Sequence, residues 1–206
     1  MTNEILIRSY ERSDRLAIRN ICCDTAFQGE PIDPLFHDSE VAADFLTSYY
    51  TDYEPEASWV AEHEGRVVGY LTGCLNSRRY SRIMTWCIVP RVVLRAMCRG
   101  LFLSVQTWKL LGDGTVLFLS GGFRHDIPQS ICAGHLHVNL QKDFRGQKVG
   151  HRLVEQFCRQ ARAAGLQGIY ASVRKENHPA RHFFEQLGFT ALDPSSTVTV
   201  IYGKHF

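Results

Sequence analysis

The sequence predicts an α/β domain built on a central sheet, and three observations carry that expectation. Residues 134–140 alternate strictly, with His135, His137 and Asn139 on one face and Leu136, Val138 and Leu140 on the other, which is the period of a strand with two distinct sides. Beyond the loop that follows it, Val149, Leu153, Phe157 and Ala161 recur every fourth residue, the period of a helix, and Gly165 ends the run. Upstream, residues 58–62 and 66–73 read as strands around His63-Glu64-Gly65, a turn of hairpin length with glycine where positive φ is cheap, so an antiparallel pair is expected.

The remaining elements fall between these. Residues 5–10 read as an opening strand, and Ser13-Asp14 supplies an N-cap and a first-turn acid for a helix carrying Leu16, Ile18, Ile21 and Cys22. Residues 27–56 mix Pro31, Pro34 and Pro55 with an apolar period at Val41, Phe45 and Tyr49, which predicts loop, short helix, loop. From Cys74 to Pro128 the pattern is helical, with Pro90 near a helix start, so an inserted helical pair is expected over about 75–128. Ile169, Ala171 and Val173 give another strand. Pro179 opens a helix with Ala180, Phe183, Phe184 and Leu187 on one face, Gly188 terminates it, and residues 198–202 close as a strand. No repeat and no low-complexity segment interrupts the chain.

Composition narrows the function. The 206 residues are 45% hydrophobic and 21% charged, a globular balance that suits one domain over 1–206, and the net charge of +2 argues against a global field for nucleic acid or an anionic membrane. Seven scattered cysteines without a C-x-x-C pair indicate neither a disulfide framework nor a zinc ribbon, and read as buried small side chains in a reducing cytoplasm. The N-terminal residues carry no signal-peptide pattern, and the most apolar stretch is broken by Arg91, Arg95, Arg99, Lys109 and Asp113, so no membrane span is expected.

Charge is concentrated locally. Residues 142–152 hold Lys142, Arg145, Lys148 and Arg152 against Asp143, a net +3 in a chain whose total is +2. Gly146 and Gly150 lie at the strand-to-helix boundary, where unpaired N–H groups and the helix dipole favour an anion and glycine admits close approach of phosphate oxygens. A diphosphate suits that chemistry; a solvated basic helix start fits the same spacing. The pattern is neither G-x-G-x-x-G nor G-x-x-x-x-G-K-[ST], which removes the dinucleotide and nucleoside-triphosphate readings.

Arg145-Gly146-Gln147-Lys148-Val149-Gly150, preceded by Val138-Asn139-Leu140 and followed by the run from Asn177-His178-Pro179 to Leu187-Gly188-Phe189, resembles the GNAT superfamily of acyl-CoA-dependent N-acetyltransferases. The resemblance is strongest from about Gly134 to Phe189. It implies a mixed, mostly antiparallel central sheet of six to seven strands flanked by helices, with the helical insert before the cofactor-binding strand. It further implies that Val138, Asn139 and Leu140 hold the pantetheine of acetyl-CoA through their main chain. Arg145, Gly146, Gln147, Lys148, Val149, Gly150 and His151 would hold the diphosphate, and Asn177 would touch the arm near the thiol. Two departures stand out. Lys148 occupies the place of the family's middle glycine, where a side chain is expected to need negative φ and its ammonium could reach a phosphate. Phe184 occupies the place of the Tyr that protonates the departing thiolate in many members, and Ser172 that of a catalytic Glu found in some.

Acyl transfer to an amine proceeds by direct attack through a tetrahedral intermediate and needs a proton acceptor. His137, beside the cofactor segment, is the candidate base or relay member; a packed strand histidine is the plainer reading. A His-x-His metal pair would need further ligands that neither Asn139 nor the isolated cysteines supply, so no metal is expected. His178 precedes Pro179 and reads as a cap position rather than half of a His178–His182 zinc pair. Arg91, Arg95 and Arg99 read as a solvated face beside an apolar flank that suits core or a homodimer interface. The expected partner is a small-molecule or peptide amine, entering between residues 27–56 and the 75–128 insert. The alternatives are a catalytically weak acyl-CoA sensor, suggested by Phe184 and Ser172, and transfer to a hydroxyl.

Overall fold

A computed structural model describes residues 4–25, 29–31, 38–101, 133–193 and 198–206. In chain order the elements are β1 (Leu6–Ser9), α1 (Arg15–Thr25), α2 (Ser39–Asp52), β2 (Ser58–His63), β3 (Arg66–Cys74), α3 (Ser77–Ile83), α4 (Val89–Cys98), β4 (Gly134–Leu140), α5 (Val149–Ala163), β5 (Gly168–Arg174), α6 (His178–Gln186), β6 (Thr190–Asp193) and β7 (Thr199–His205). Seven strands form one sheet in the order β1-β2-β3-β4-β5-β7-β6. Every neighbouring pair is antiparallel except β4 with β5.

That exception shapes the molecule. β4 and β5 pair only at Gly134 with Ile169 and His135 with Tyr170, whereas β3 stays paired with β4 as far as Leu140. Beyond His135 the two parallel strands diverge and the sheet opens as a wedge. α5 covers one face, where Val149, Leu153, Val154, Phe157 and Ala161 pack on Leu71, Leu136 and Ile169. On the other face, Ile18, Ile21 and Cys22 of α1 pack on Val60 and Tyr70. Tyr49 and Tyr50 of α2 meet Cys74, Met84 and Ile88.

Several local expectations change. Ser13 does not cap α1: a 3-10 turn over Arg12–Asp14 precedes it, and the Asp14 carboxylate accepts from the Glu11 amide at 2.8 Å and pairs with Arg8 at 2.7 Å. The short helix of residues 27–56 is a full 14-residue α2, started by Asp38, whose side chain accepts from Glu40 and Val41. The hairpin turn is two residues long, since His63 pairs with Arg66 and both Glu64 and Gly65 take positive φ. Pro90 stands near the start of α4, as expected, but the helix is not set apart by a loop. α3 runs through a π-turn at Met84–Ile88 into α4, and the freed geometry ahead of the proline is that turn. The rest of the expected insert, 102–128, lies outside the described residues. β6 was not expected: its four residues follow Gly188 too closely to show a period.

The α4 arginines keep a solvated face, as expected, and each is also paired. Arg95 pairs with Asp44, Arg99 with Asp38, and the Arg91 guanidinium donates to the Tyr53 hydroxyl at 2.5 Å. Arg19 of α1, 5% exposed, shares Asp44 and also bonds Glu40 at 2.7 Å. The positive spacing on α4 is the mirror of Asp38, Glu40 and Asp44 on α2, a match between distant segments that no local pattern displays.

Candidate functional site

The antiparallel ladder fixes which way the β4 peptides point. The Gln141 amide donates to the Val68 carbonyl at 2.9 Å, so by alternation Asn139 and His137 address β3, while the N–H and C=O groups of Val138 and Leu140 face the wedge. The Leu140 carbonyl is taken by Arg145 Nε at 3.1 Å. The Val138 peptide groups and the Leu140 amide stand opposite the diverging β5 strand.

The loop after β4 is built to leave amides open. Gly146 takes φ +76° with open space where a Cβ would stand, and Lys148 takes φ 59°, the left-handed region. The expectation of negative φ at Lys148 is therefore wrong; the turn into α5 demands the backbone that glycine would adopt, and Lys148 adopts it at a steric cost. The first helical bond is Arg152 amide to Lys148 carbonyl at 3.1 Å, so among the described residues the amides of Gly146, Gln147, Lys148, Val149, Gly150 and His151 have no hydrogen-bond partner. Six adjoining donors at the positive end of a 15-residue helix make an anion site. The loop from Arg145 to Lys148 is exposed, and Gly150 lies so close to Phe183 that an added Cβ would meet the ring at 3.0 Å.

A cavity of about 520 Å³ runs from this loop along β4. It gathers ten of the eleven residues expected at the cofactor: Val138, Asn139, Leu140, Arg145, Gly146, Lys148, Val149, Gly150, His151 and Asn177. Gln147 does not line it, because its Nε2 turns back to the Asp143 carbonyl at 2.9 Å. The Arg145 side chain ties the loop down instead of projecting freely, with a second bond to the Gly29 carbonyl at 2.8 Å. Asn177, and not His178, caps α6: its Oδ1 accepts from the Ala180 amide at 3.1 Å, and the residue lines the cavity. Pro179, Phe183 and Gln186 complete the α6 wall and were not foreseen.

A second cavity of about 440 Å³ lies against the opposite face of β4 and shares Val138, Asn139, Asn177, Ala180 and Phe184 with the first. His137 lines it, as do Tyr50, Tyr70, Thr72 and Tyr80, with Phe45 and Leu46 from α2 and Ser172 and Arg174 from β5. The His137 ring sits edge to face with Tyr50 at 5.6 Å, and neither ring nitrogen has a hydrogen bond among the described residues. Desolvation within the recess pushes its pKa down, to about 4, although the ring still meets water there, which offsets part of the displacement. His135, two residues back, differs. It is 5% exposed, shares a hydrogen bond with the Tyr50 hydroxyl at 2.9 Å and lies 3.3 Å from Ser77 Oγ, and burial lowers its pKa to about 3. Phe184 is 5% exposed on the shared wall and stacks on Tyr202, whose hydroxyl donates to Glu185 at 2.7 Å. Of the residues lining this second cavity, the sequence pattern marked Phe45 but not the tyrosines, whose inward direction depends on how α2, α3 and β3 pack.

An acetyltransferase (GNAT) family model matches residues 118–189, the stretch that holds β4, the amide loop and Asn177. Over that stretch the chain is similar to the GNAT acetyltransferases. Solved structures agree in fold. A protein described as SsHAT is 25% identical over 98% of each chain with a TM-score of 0.79. The polyamine N-acetyltransferase of Drosophila melanogaster, described as forming N-acetylagmatine, is 18% identical over 98% of this chain and 100% of its own, with a TM-score of 0.59. The PaiA N-acetyltransferase of Thermoplasma acidophilum, solved in complex with coenzyme A, is 9% identical over 98% and 99%, with a TM-score of 0.57. Among the described residues, no group of three or more His, Cys, Asp or Glu is placed to hold a metal, and no helix is long and apolar enough to cross a membrane.

Proposed function

We propose that the chain is an N-acetyltransferase that moves an acetyl group from acetyl-CoA to a primary amine of a small molecule or peptide. The observation that carries this reading is the row of six unpartnered amides from Gly146 to His151 beside the open edge of β4. The orphaned donors fit a diphosphate, and the free Val138 peptide fits the amides of a pantetheine arm. Acetyl-CoA supplies a thioester whose thiol, with a pKa near about 8.5, leaves without an obligatory acid, which accommodates Phe184.

In this reading the chain's own groups divide the work. The amides of residues 146–151 hold the diphosphate, and the Leu140 and Val138 main chain holds the arm. Asn177 Nδ2 reaches the arm near the sulfur. A main-chain N–H of β4 polarises the thioester carbonyl. His137 stays neutral at physiological pH, accepts a hydrogen bond from the attacking amine, and takes its proton as the new C–N bond makes that nitrogen acidic. The six described cysteines are all free thiols, in keeping with a reducing, cytoplasmic setting.

Calorimetric titration with acetyl-CoA followed by a thiol-release assay on an amine panel tests the proposal. Micromolar binding with amine-dependent thiol release is expected; no binding at millimolar acetyl-CoA would remove it. Phe184 and Ser172 favour a second reading, an acyl-CoA sensor, for which binding occurs without thiol release.

A further inference from the structure

The wedge between β4 and β5 closes in register. Gly134 meets Ile169 and His135 meets Tyr170, so the next positions in line are Leu136 with Ala171, His137 with Ser172 and Val138 with Val173. All six of those next residues line the second cavity. Leu136, Ala171 and Val173 are buried members of the main hydrophobic core, and Val138 packs against it. The narrow end of the wedge is therefore apolar on its α5 side, and Ala171, the smallest side chain of the four, stands across from the position of Leu136. Phe184 adds a ring without a hydroxyl to the same cavity. From Val138 back to Leu136 is two residues of strand, a reach of about 7 Å.

We infer that this apex is an acyl pocket with Ala171 setting its depth, and that the chain holds the propionyl and butyryl thioesters of CoA more tightly than acetyl-CoA. The inference rests on the transferase reading above and deepens it. A thioester carbon is planar, with the oxygen, the sulfur and the acyl chain pointing three ways in one plane. In that reading a β4 N–H holds the oxygen, the sulfur comes from the cofactor cavity, and the amine attacks out of the plane from the His137 face. The direction left for the acyl chain runs along the gap between the strands, toward Ala171 and Leu136. A methyl group fills only the nearer part of that reach. Each further methylene exchanges water for apolar wall, a gain of about fourfold in affinity, until the paired rung at His135 and Tyr170 closes the space. The transfer itself is unchanged: the C–N bond forms as the C–S bond breaks, the amine proton passes to His137, and the thiolate leaves on CoA and takes a proton from water.

Calorimetric titration with CoA and with acetyl-, propionyl-, butyryl- and octanoyl-CoA tests this without an acceptor. Affinity is expected to rise from acetyl to propionyl and to reach at least fivefold over acetyl with butyryl, then to fall back with octanoyl, which is longer than the pocket. Ala171→Val adds two carbons at the narrow end. Acetyl-CoA should bind it within threefold of the unaltered protein, while the butyryl advantage shrinks at least threefold. Val173→Ile, one carbon larger on the same wall, gives the same comparison if Ala171→Val does not fold. If acetyl-CoA binds and the butyryl advantage in the unaltered protein is below fivefold, the inference is overturned and the transferase reading stands. Tightest binding of octanoyl-CoA, or a butyryl advantage that survives the folded variant, places the acyl chain outside the apex and overturns it as well. If neither CoA nor any of its thioesters binds, the transferase reading itself fails.

Discussion

The two faces of β4 are built from different materials. On the wedge side the candidate diphosphate and pantetheine contacts are peptide groups: the amides of Gly146 to His151 and the main chain of Val138 and Leu140. On the other side the cavity is walled by side chains drawn from α1, α2, α3, β3, β4 and β5, with His137 among them. A peptide site needs only a backbone path, so two glycines and a helix start announce it in a short run of sequence. A side-chain site needs several elements to converge, and no run of sequence states that convergence.

The contrast can be broken most severely at His137. His137→Ala is expected to lower kcat by about 100-fold, the scale of a lost proton acceptor, while the affinity for acetyl-CoA stays within twofold. In the unaltered protein the acidic limb attributable to this imidazole lies below its ordinary 6.5, the direction in which desolvation moves it; steady-state kinetics across pH reads both. A mutant with full kcat would make the aromatic side a passive pocket.

Gly150→Val attacks the opposite face. Its Cβ would meet the Phe183 ring at 3.0 Å and its branches would crowd the neighbouring amides, so KM for acetyl-CoA should rise at least tenfold with acceptor KM little changed. Equal rises in both constants would show that the two cavities are one.

His135 gives a smaller effect, legible in stability. Its folded pKa of about 3 lies below the ordinary value of 6.5, so the unfolded chain binds the extra proton between those limits. The stability is complete above pH 6.5 and declines as pH falls toward 3, with a slope approaching about 1.4 kcal/mol per pH unit from this group. Urea denaturation of the protein and of His135→Gln, which keeps a partner for Tyr50, should show that slope in the first and its loss in the second.

Lys148→Gly is the mildest. Removing a Cβ from φ 59° should relieve about 1 kcal/mol, seen as a rise in Tm of about 2–4 °C. Loss of the ammonium should weaken acetyl-CoA binding by only a few-fold, because the peptide amides remain.

Much of the fold was legible in the sequence, and unevenly. The β4 strand, the α5 helix and the β2–β3 hairpin carry complete periods and appear where expected, as does the mixed sheet flanked by helices. The loop was legible because glycine at Gly146 and Gly150 marks backbone demands directly; Lys148 misled because lysine does not advertise a left-handed φ. Ser13 looked like a cap, but Asp14, held by Arg8, does that work through a contact across the β1 turn. The lining of the second cavity was hidden for a related reason. Tyr50, Tyr70 and Tyr80 belong to three elements, and nothing local to any of them says that their rings meet.

The central claim is that peptide N–H groups, more than side chains, grip the diphosphate. Backbone amide resonances followed during titration with coenzyme A test it most directly. The account predicts that the amides of Gly146 through His151 shift together and saturate with one dissociation constant, and that the same shifts appear in Lys148→Gly. Binding that leaves those six amides unmoved, or no binding at all, would contradict it.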